Sequence, residues 1–279
     1  MPVEPEKIIY RFPRRAERWR RTVSYGGVEC RPGEEIAAVH YRFRAETPAA
    51  VGRRIAFFSD LHHRGGPEQW GRLEEAVQLM TEFKPDILMA GGDMAAYAAD
   101  LGALPEALAA FRAVAPVRLA VLGNWENNKI WIDHGAYWRK LFADSGFRLL
   151  ENECHDDGVF HVYGAGDIPV GRVRIPPWPE EPRERLLLAH NPDTVICFDS
   201  GNDAGLPPLS ITGHTHGGQI RLPVVGALYS SSVYGRKFDY GVYTRYPGGN
   251  KMVVSSGLEN CSFPLRFNCR REVVLITMI

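Results

Sequence analysis

From Arg54 onward, short apolar runs alternate with segments of helical period, and polar loops separate the two. Ile55-Ala56-Phe57-Phe58 is a compact apolar run that stops at Ser59-Asp60, as a buried strand stops at a loop. Leu73, Ala76, Val77, Met80 and Phe83 then fall on one face of a helix closed by Pro85. The pattern repeats. Ile87 to Ala90 runs into Gly91-Gly92-Asp93, a second helical pattern uses Leu101, Leu104, Leu108 and Phe111, and Val117 to Leu122 runs into Gly123-Asn124. A third helix is expected from about Asp133 to Ala143. Leu186 to Ala189 leads to His190, Leu209 to Ile211 leads to Gly213-His214, and strand-like segments at Lys251–Ser255 and Glu272–Met278 close the chain.

Strand, polar loop and helix in this order predict an α/β fold with a largely parallel sheet, whose ligands collect at the carboxyl ends of the strands. Residues 1–50 are less regular: a basic arm, then alternation at Ala38 to Phe43 that suits an edge strand, both expected to pack on a main domain spanning 51–279.

Composition narrows the picture only a little. Of 279 residues, 45% are hydrophobic and 24% charged, which is the profile of a globular chain. Lys plus Arg equals Asp plus Glu at 33 each, so no net positive charge points to a long polyanion and nucleic acid is disfavoured as a partner. Locally, Lys7, Arg11, Arg14, Arg15, Arg18, Arg20 and Arg21 are interleaved with Tyr10, Phe12 and Trp19. This arm, residues 7–21, either meets an anionic membrane or packs its aromatics on the main domain. No apolar run approaches the ~20 residues of a spanning helix, and the first residues lack a secretory pattern. The expected location is cytoplasmic, with the option of peripheral membrane contact. Five cysteines without a Cys-x-x-Cys pair argue against a cysteine metal site.

The candidate chemistry sits at the five strand ends. Asp60 and His62, Asp93, Asn124, His190, and His214 with His216 make a mixed oxygen and nitrogen donor set, suited to Mn, Fe or Zn rather than Ca or Mg. Seven donors exceed what one cation with an open position uses. They serve two divalent ions if one carboxylate bridges.

Asp60-Leu61-His62, Gly92-Asp93, Gly123-Asn124, His190 and Gly213-His214-Thr215-His216 resemble, in order and spacing, the motifs of the calcineurin-like metallophosphoesterases. Gly217 to Pro223, Gly226 to Tyr229, Ser256-Gly257-Leu258 and Pro264 to Phe267 resemble the bacterial YkuE/YaeI-like phosphodiesterase branch. The resemblance implies a four-layer α-β-β-α sandwich. It implies Asp60, His62 and His216 on one metal, Asn124, His190 and His214 on the other, and Asp93 bridging both. It also implies attack by a hydroxide held between two cations about 3.5–4 Å apart. On this scheme Asp93, Asn124 and His190 act through the metals.

Members of that family usually read Gly-Asn-His-Asp/Glu at the third motif, where this chain has Gly123-Asn124-Trp125-Glu126. An indole donates one hydrogen bond but shuttles no proton near neutral pH. Either the leaving group departs unaided, as from a diphosphate or aryl ester, or another residue substitutes. His63 and His134 are the nearest imidazoles, and Arg64 can bring positive charge. The diphosphatase acting on UDP-2,3-diacylglucosamine likewise lacks this histidine, which favours a lipid- or nucleotide-linked phosphate substrate by analogy. The rivals are a broad-specificity phosphodiesterase or phospholipid phosphatase and, in another class, a silent scaffold. Trp125 and Arg64 are candidate substrate contacts, and Glu126 is expected to orient the site or start a helix rather than ligate.

Overall fold

The computed structural model describes residues 13–23, 26–29, 35–128, 134–167, 178–199, 205–261 and 263–279. Two seven-stranded sheets dominate. The first runs β2 (Gly27–Glu29), β3 (Ile36–Phe43), β16 (Arg271–Met278), β4 (Arg54–Phe58), β5 (Ile87–Ala90), β6 (Val117–Ala120) and β7 (Arg148–Leu149). The second runs β1 (Trp19–Val23), β14 (Gly241–Arg245), β15 (Lys251–Val254), β11 (Leu209–Thr212), β10 (Glu184–Leu188), β9 (Phe160–Gly164) and β8 (Glu153–Asp156). A small hairpin, β12 (Arg221–Leu222) and β13 (Gly226–Ala227), stands apart from both.

Side-chain alternation along these strands builds the layers. Ile55, Phe57, Ile87 and Met89 point to a core between the sheets, where they meet Val162, Leu186, Leu188 and Ile211. Ala56, Phe58, Leu88 and Ala90 point the other way, onto helix α2 (Pro67–Phe83), the successor of the short α1 (Pro13–Glu17), and the residues around Phe111 and Trp138. Leu187, Tyr163, Met252 and Val254 cover the outer face of the second sheet with Trp19, Val195 and Phe198. Strands buried on both faces are why β5 reads as an unbroken apolar run. Helices, sheet, sheet and helix give the expected four layers.

The helix α2 begins with Pro67, whose missing N–H costs nothing in a first turn, and stops at Lys84 in a left-handed conformation before Pro85. The second expected helix is interrupted. A 3₁₀ turn at Ala98–Gly102 is followed by α3 (Leu104–Ala109) and another 3₁₀ turn at Ala110–Ala113. Gly102 and Pro105 are the cause, since proline cannot donate back into a continuing helix and starts a new one instead. The segment at Ala38 to Phe43 is not an edge strand. It belongs to β3, paired on one side with β16 and on the other with β2, and is largely buried.

The described part of the basic arm is woven into the second sheet. The indole of Trp19 is buried, Arg18 pairs with Asp199 at 3.1 Å, and Arg21 reaches Asp239 and the Tyr243 hydroxyl. Lys7, Tyr10, Arg11 and Phe12 lie outside the described residues. Among the described residues no helix is long and apolar enough to cross a membrane.

Candidate metal centre

The strands β4, β5 and β6 of one sheet run parallel to one another, as do β10 and β11 of the other, and they deliver their carboxyl ends to a common crevice. The loops there are sharply bent. Asp60, His62, Asp93, His214 and His216 all adopt positive φ, between 37° and 72°. Non-glycine residues avoid this region, and its concentration at one site marks stored backbone strain. Close approach explains the glycines beside them. A Cβ on Gly213 would stand 2.6 Å from Asp60 Oδ2, and one on Gly123 would lie 2.5 Å from the Asp93 nitrogen.

Two clusters of metal-ligating type result, Asp60, His62, Asp93 and His216 in one and Asp93, His190 and His214 in the other, so Asp93 belongs to both. The Asp93 Oδ2 atom lies 3.8 Å from His62 Nε2 and 3.3 Å from His190 Nε2, while its Oδ1 accepts the backbone N–H of Trp125 at 2.9 Å. Asn124 adds its Oδ1 atom 3.1 Å from His190 Nε2. The six Asp and His residues picked from the sequence converge here, and Asn124 joins them through His190.

The imidazoles are oriented by backbone carbonyls, which can only accept. His190 Nδ1 donates to Gly91 O at 2.7 Å, His216 Nδ1 to Glu259 O at 3.0 Å, and His214 Nε2 to Ser231 O at 3.3 Å. Each opposite ring nitrogen therefore turns a lone pair into the crevice. His216 Nε2 then faces His62 Nε2 at 3.3 Å and Asp60 Oδ1 at 3.4 Å, and that carboxylate oxygen is buried with no donor of its own. Lone pairs facing one another at such distances repel, and a cation among them satisfies all of them. The donor set thus fits divalent metal ions.

Charge follows the same logic. Burial lowers the pKa of His62 and His216, and it brings His214 down to about 4 with help from His190, which favours the neutral rings that ligation uses, whereas for His190 burial is outweighed by the Asp93 charge and the pKa is raised. Burial opposes ionisation of Asp93, but the surrounding His190, His62 and His214 outweigh it and hold the carboxyl below its usual range. Burial and the nearby Asp93 charge push Glu126 up to about 7.

Glu126 is a structural centre of the site. Its Oε2 accepts from the backbone N–H of Gly123 at 2.7 Å and Asp93 at 3.0 Å, and its Oε1 accepts from Met94 at 2.6 Å. It ties the loop after β5 to the loop after β6, the orienting part expected of it.

The weaker candidates separate. Trp125 lines a pocket of about 230 Å³ together with Asp93, Asn124, His214 and His216, edge-on to the His62 ring at 5.5 Å. Arg64 lies in a neighbouring groove, its guanidinium over the Tyr97 ring. His63 is buried and packs edge-on against Trp70, away from the pocket lining. The His134 side chain lies outside the described residues. Asp167 is buried, and its charge adds to those of Asp93 and Asp60, which together outweigh burial and raise the His190 pKa. The supports supplied by Ser231 and Glu259 were missed because they act through carbonyl groups, which any residue type carries.

A family model described as calcineurin-like phosphoesterase matches residues 53–218. The chain is 28% identical to phosphodiesterase YaeI of Escherichia coli over 258 residues, covering 90% of each protein. It is 26% identical to the uncharacterized metallophosphoesterase YkuE of Bacillus subtilis, covering 81% of this chain and 79% of that one. A crystal structure of TT1561 from Thermus thermophilus superposes with a TM-score of 0.42 at 15% identity, over 74% of this chain and 90% of that one.

Proposed function

This chain belongs to the calcineurin-like phosphoesterase family and is a dinuclear metallophosphoesterase, and on that premise we propose that it cleaves phosphoester or diphosphate bonds whose leaving group departs without a proton from histidine. The observation that carries the reading is Asp93, a carboxylate common to two buried donor clusters. Two divalent cations of the Mn, Fe or Zn type held there would supply an activated water and neutralise charge on the transferred phosphoryl group. Asp60, His62, Asp93, Asn124, His190, His214 and His216 are the proposed ligands.

The protein's own contribution is order. Carbonyls of Gly91, Ser231 and Glu259 fix three imidazoles, and Glu126 fixes the two loops that carry Asp93 and Asn124. Trp125 walls the pocket where a proton-transferring imidazole would serve a poor leaving group, and the buried His63 does not reach the pocket lining. This supports substrates such as a lipid- or nucleotide-linked diphosphate, with UDP-2,3-diacylglucosamine as one instance, over simple alkyl diesters. YaeI is a phosphodiesterase by name, which supports diester cleavage as the second reading.

A substrate panel tests both. The metal-loaded protein should turn over diphosphate-linked and aryl esters, with rates that fall steeply as the leaving-group pKa rises. Rates independent of leaving group would reveal an unrecognised general acid and overturn the first reading.

A further inference from the structure

The sequence from Gly217 to Phe238 and from Cys261 to Arg271 contains no Asp or Glu, yet carries six Arg and Lys residues. The structure brings these two stretches together. Ile220 bridges to Phe267, Arg221 N–H donates to Phe267 O at 2.9 Å, and the Gln219 amide donates to Phe263 O at 2.7 Å. Leu228 N–H returns to Ile220 O at 3.0 Å. The hairpin of β12 and β13 is thereby joined to the segment 263–267 as one surface.

That surface is apolar and uncovered. Val224 at the hairpin tip is fully exposed, as are more than half of Val225 and Phe267 and nearly half of Leu265. Apolar side chains so gathered on a monomer mark an interaction site. Val224 also holds a φ of 69°. A β-branched residue is a poor choice there on backbone grounds, since Gly or Asn would sit without strain. The position keeps an apolar side chain against local preference.

Charge indicates what covers it. Arg236 is exposed and held against β13 by a bond to Ala227 O at 3.1 Å, and Arg270, also exposed, lines the groove shared with Leu222 and Val224. The nearest acids in sequence, Asp239, Glu259 and Glu272, are buried. A projecting apolar tip flanked by the exposed Arg236 and Arg270 complements an anionic bilayer, where insertion and charge attraction add. We propose that the hairpin of β12 and β13, with the segment 263–267, is a docking surface for anionic lipid membranes. Gln219, Tyr229 and Cys261 belong both to this region and to the lining of the metal pocket. Docking therefore brings the pocket mouth to the lipid headgroups. The surface is independent of the basic arm at residues 7–21 and of the reaction performed.

The test uses the full chain and vesicles of phosphatidylcholine, with or without 30 mol% phosphatidylglycerol. The protein is expected to sediment with the anionic vesicles, and V224D/V225D to bind them at least roughly tenfold more weakly. That variant should hydrolyse a soluble aryl phosphate ester at the unaltered rate, which separates docking from catalysis. R236Q/R270Q should bind several-fold more weakly, with a shallower salt dependence. Val224→Asn relieves the backbone and should melt no lower than the parent while binding less. Equal sedimentation of parent and V224D/V225D overturns the proposal, as does failure of the parent to sediment. So does binding lost on neutralising Lys7, Arg11 and Arg14 alone. Light scattering that shows a dimer converted to monomer by V224D/V225D would assign the face to a second copy instead.

Discussion

The Glu126 carboxylate accepts the backbone N–H of Asp93 at 3.0 Å, so one buried acid holds another in place through the main chain. Asp93 sits at a φ of 57°, and this bond, with those from Gly123 and Met94, keeps its loop in that conformation. Glu126→Gln turns an amide NH₂ toward backbone donors. Leaving them unsatisfied should cost about 1–3 kcal/mol and loosen the carboxylate shared by both clusters. A lowered melting temperature and sub-stoichiometric metal by elemental analysis are expected. A variant with full metal and the parental melting temperature would remove Glu126 from this role.

Metal stoichiometry separates the shared ligand from the others. His216→Ala removes a donor from one cluster only and should leave close to one ion per chain, whereas Asp93→Ala should reduce both. Loss of even a supporting partner around a metal typically costs 10–100-fold in affinity or activity, so turnover by Asp93→Ala should fall by more than ~100-fold. Circular dichroism should show both variants folded. Two tightly held ions in Asp93→Ala would refute the bridging geometry.

How much of this was legible in the chain depended on the kind of signal. The seven converging residues could be read because each ends a short apolar run, and runs such as Ile87 to Ala90 are apolar for a reason the fold confirms, burial on both faces. The β8–β9 hairpin was not anticipated, although Asp157-Gly158 at its turn is a hairpin signature. Its first strand, β8, carries Glu, Cys, His and Asp and lies at the sheet edge, where apolar periodicity fades. The orienting carbonyls of Gly91, Ser231 and Glu259 had no sequence signal at all. The sequence suggested contact at residues 7–21, but the part of that arm the structure describes buries Trp19 and pairs Arg18 and Arg21 internally.

Trp125 offers a gain-of-function test. Its backbone N–H holds Asp93 Oδ1 and its ring stands beside His62, so an imidazole at this position would face the same pocket. Trp125→His should raise rates on poor leaving groups, with a general acid worth about 10²–10⁴-fold when well placed. The rate dependence on leaving-group pKa should flatten while good leaving groups change little. A uniform drop across the series would mean that Trp125 serves packing alone.

Stability should depend on pH through Asp193, which is buried, accepts hydrogen bonds from Ser232 and Val233, and is pushed up by burial to about 6. A carboxyl with a raised folded pKa binds its proton more tightly folded than unfolded. Its contribution is full below its unfolded value, near pH 4, and is lost as pH rises through about 6. The span corresponds to a loss on the order of 3 kcal/mol. Asp193→Asn should therefore show a smaller fall in melting temperature across that window than the parent. Parallel melting curves for the two would assign the dependence elsewhere.

The last strand of the chain is an inner strand of its sheet. Residues 271–278 lie between β3, from the first fifty residues, and β4, which begins at Arg54, so the two halves of that sheet meet only through them. On the ribosome, where chains emerge from the amino end at about 5–20 residues per second, β3 and β4 wait for a partner made long after them. Ile36 to Val39 stay unpaired on that side until translation reaches this segment. Until then the nascent protein carries an open apolar seam for chaperones to guard.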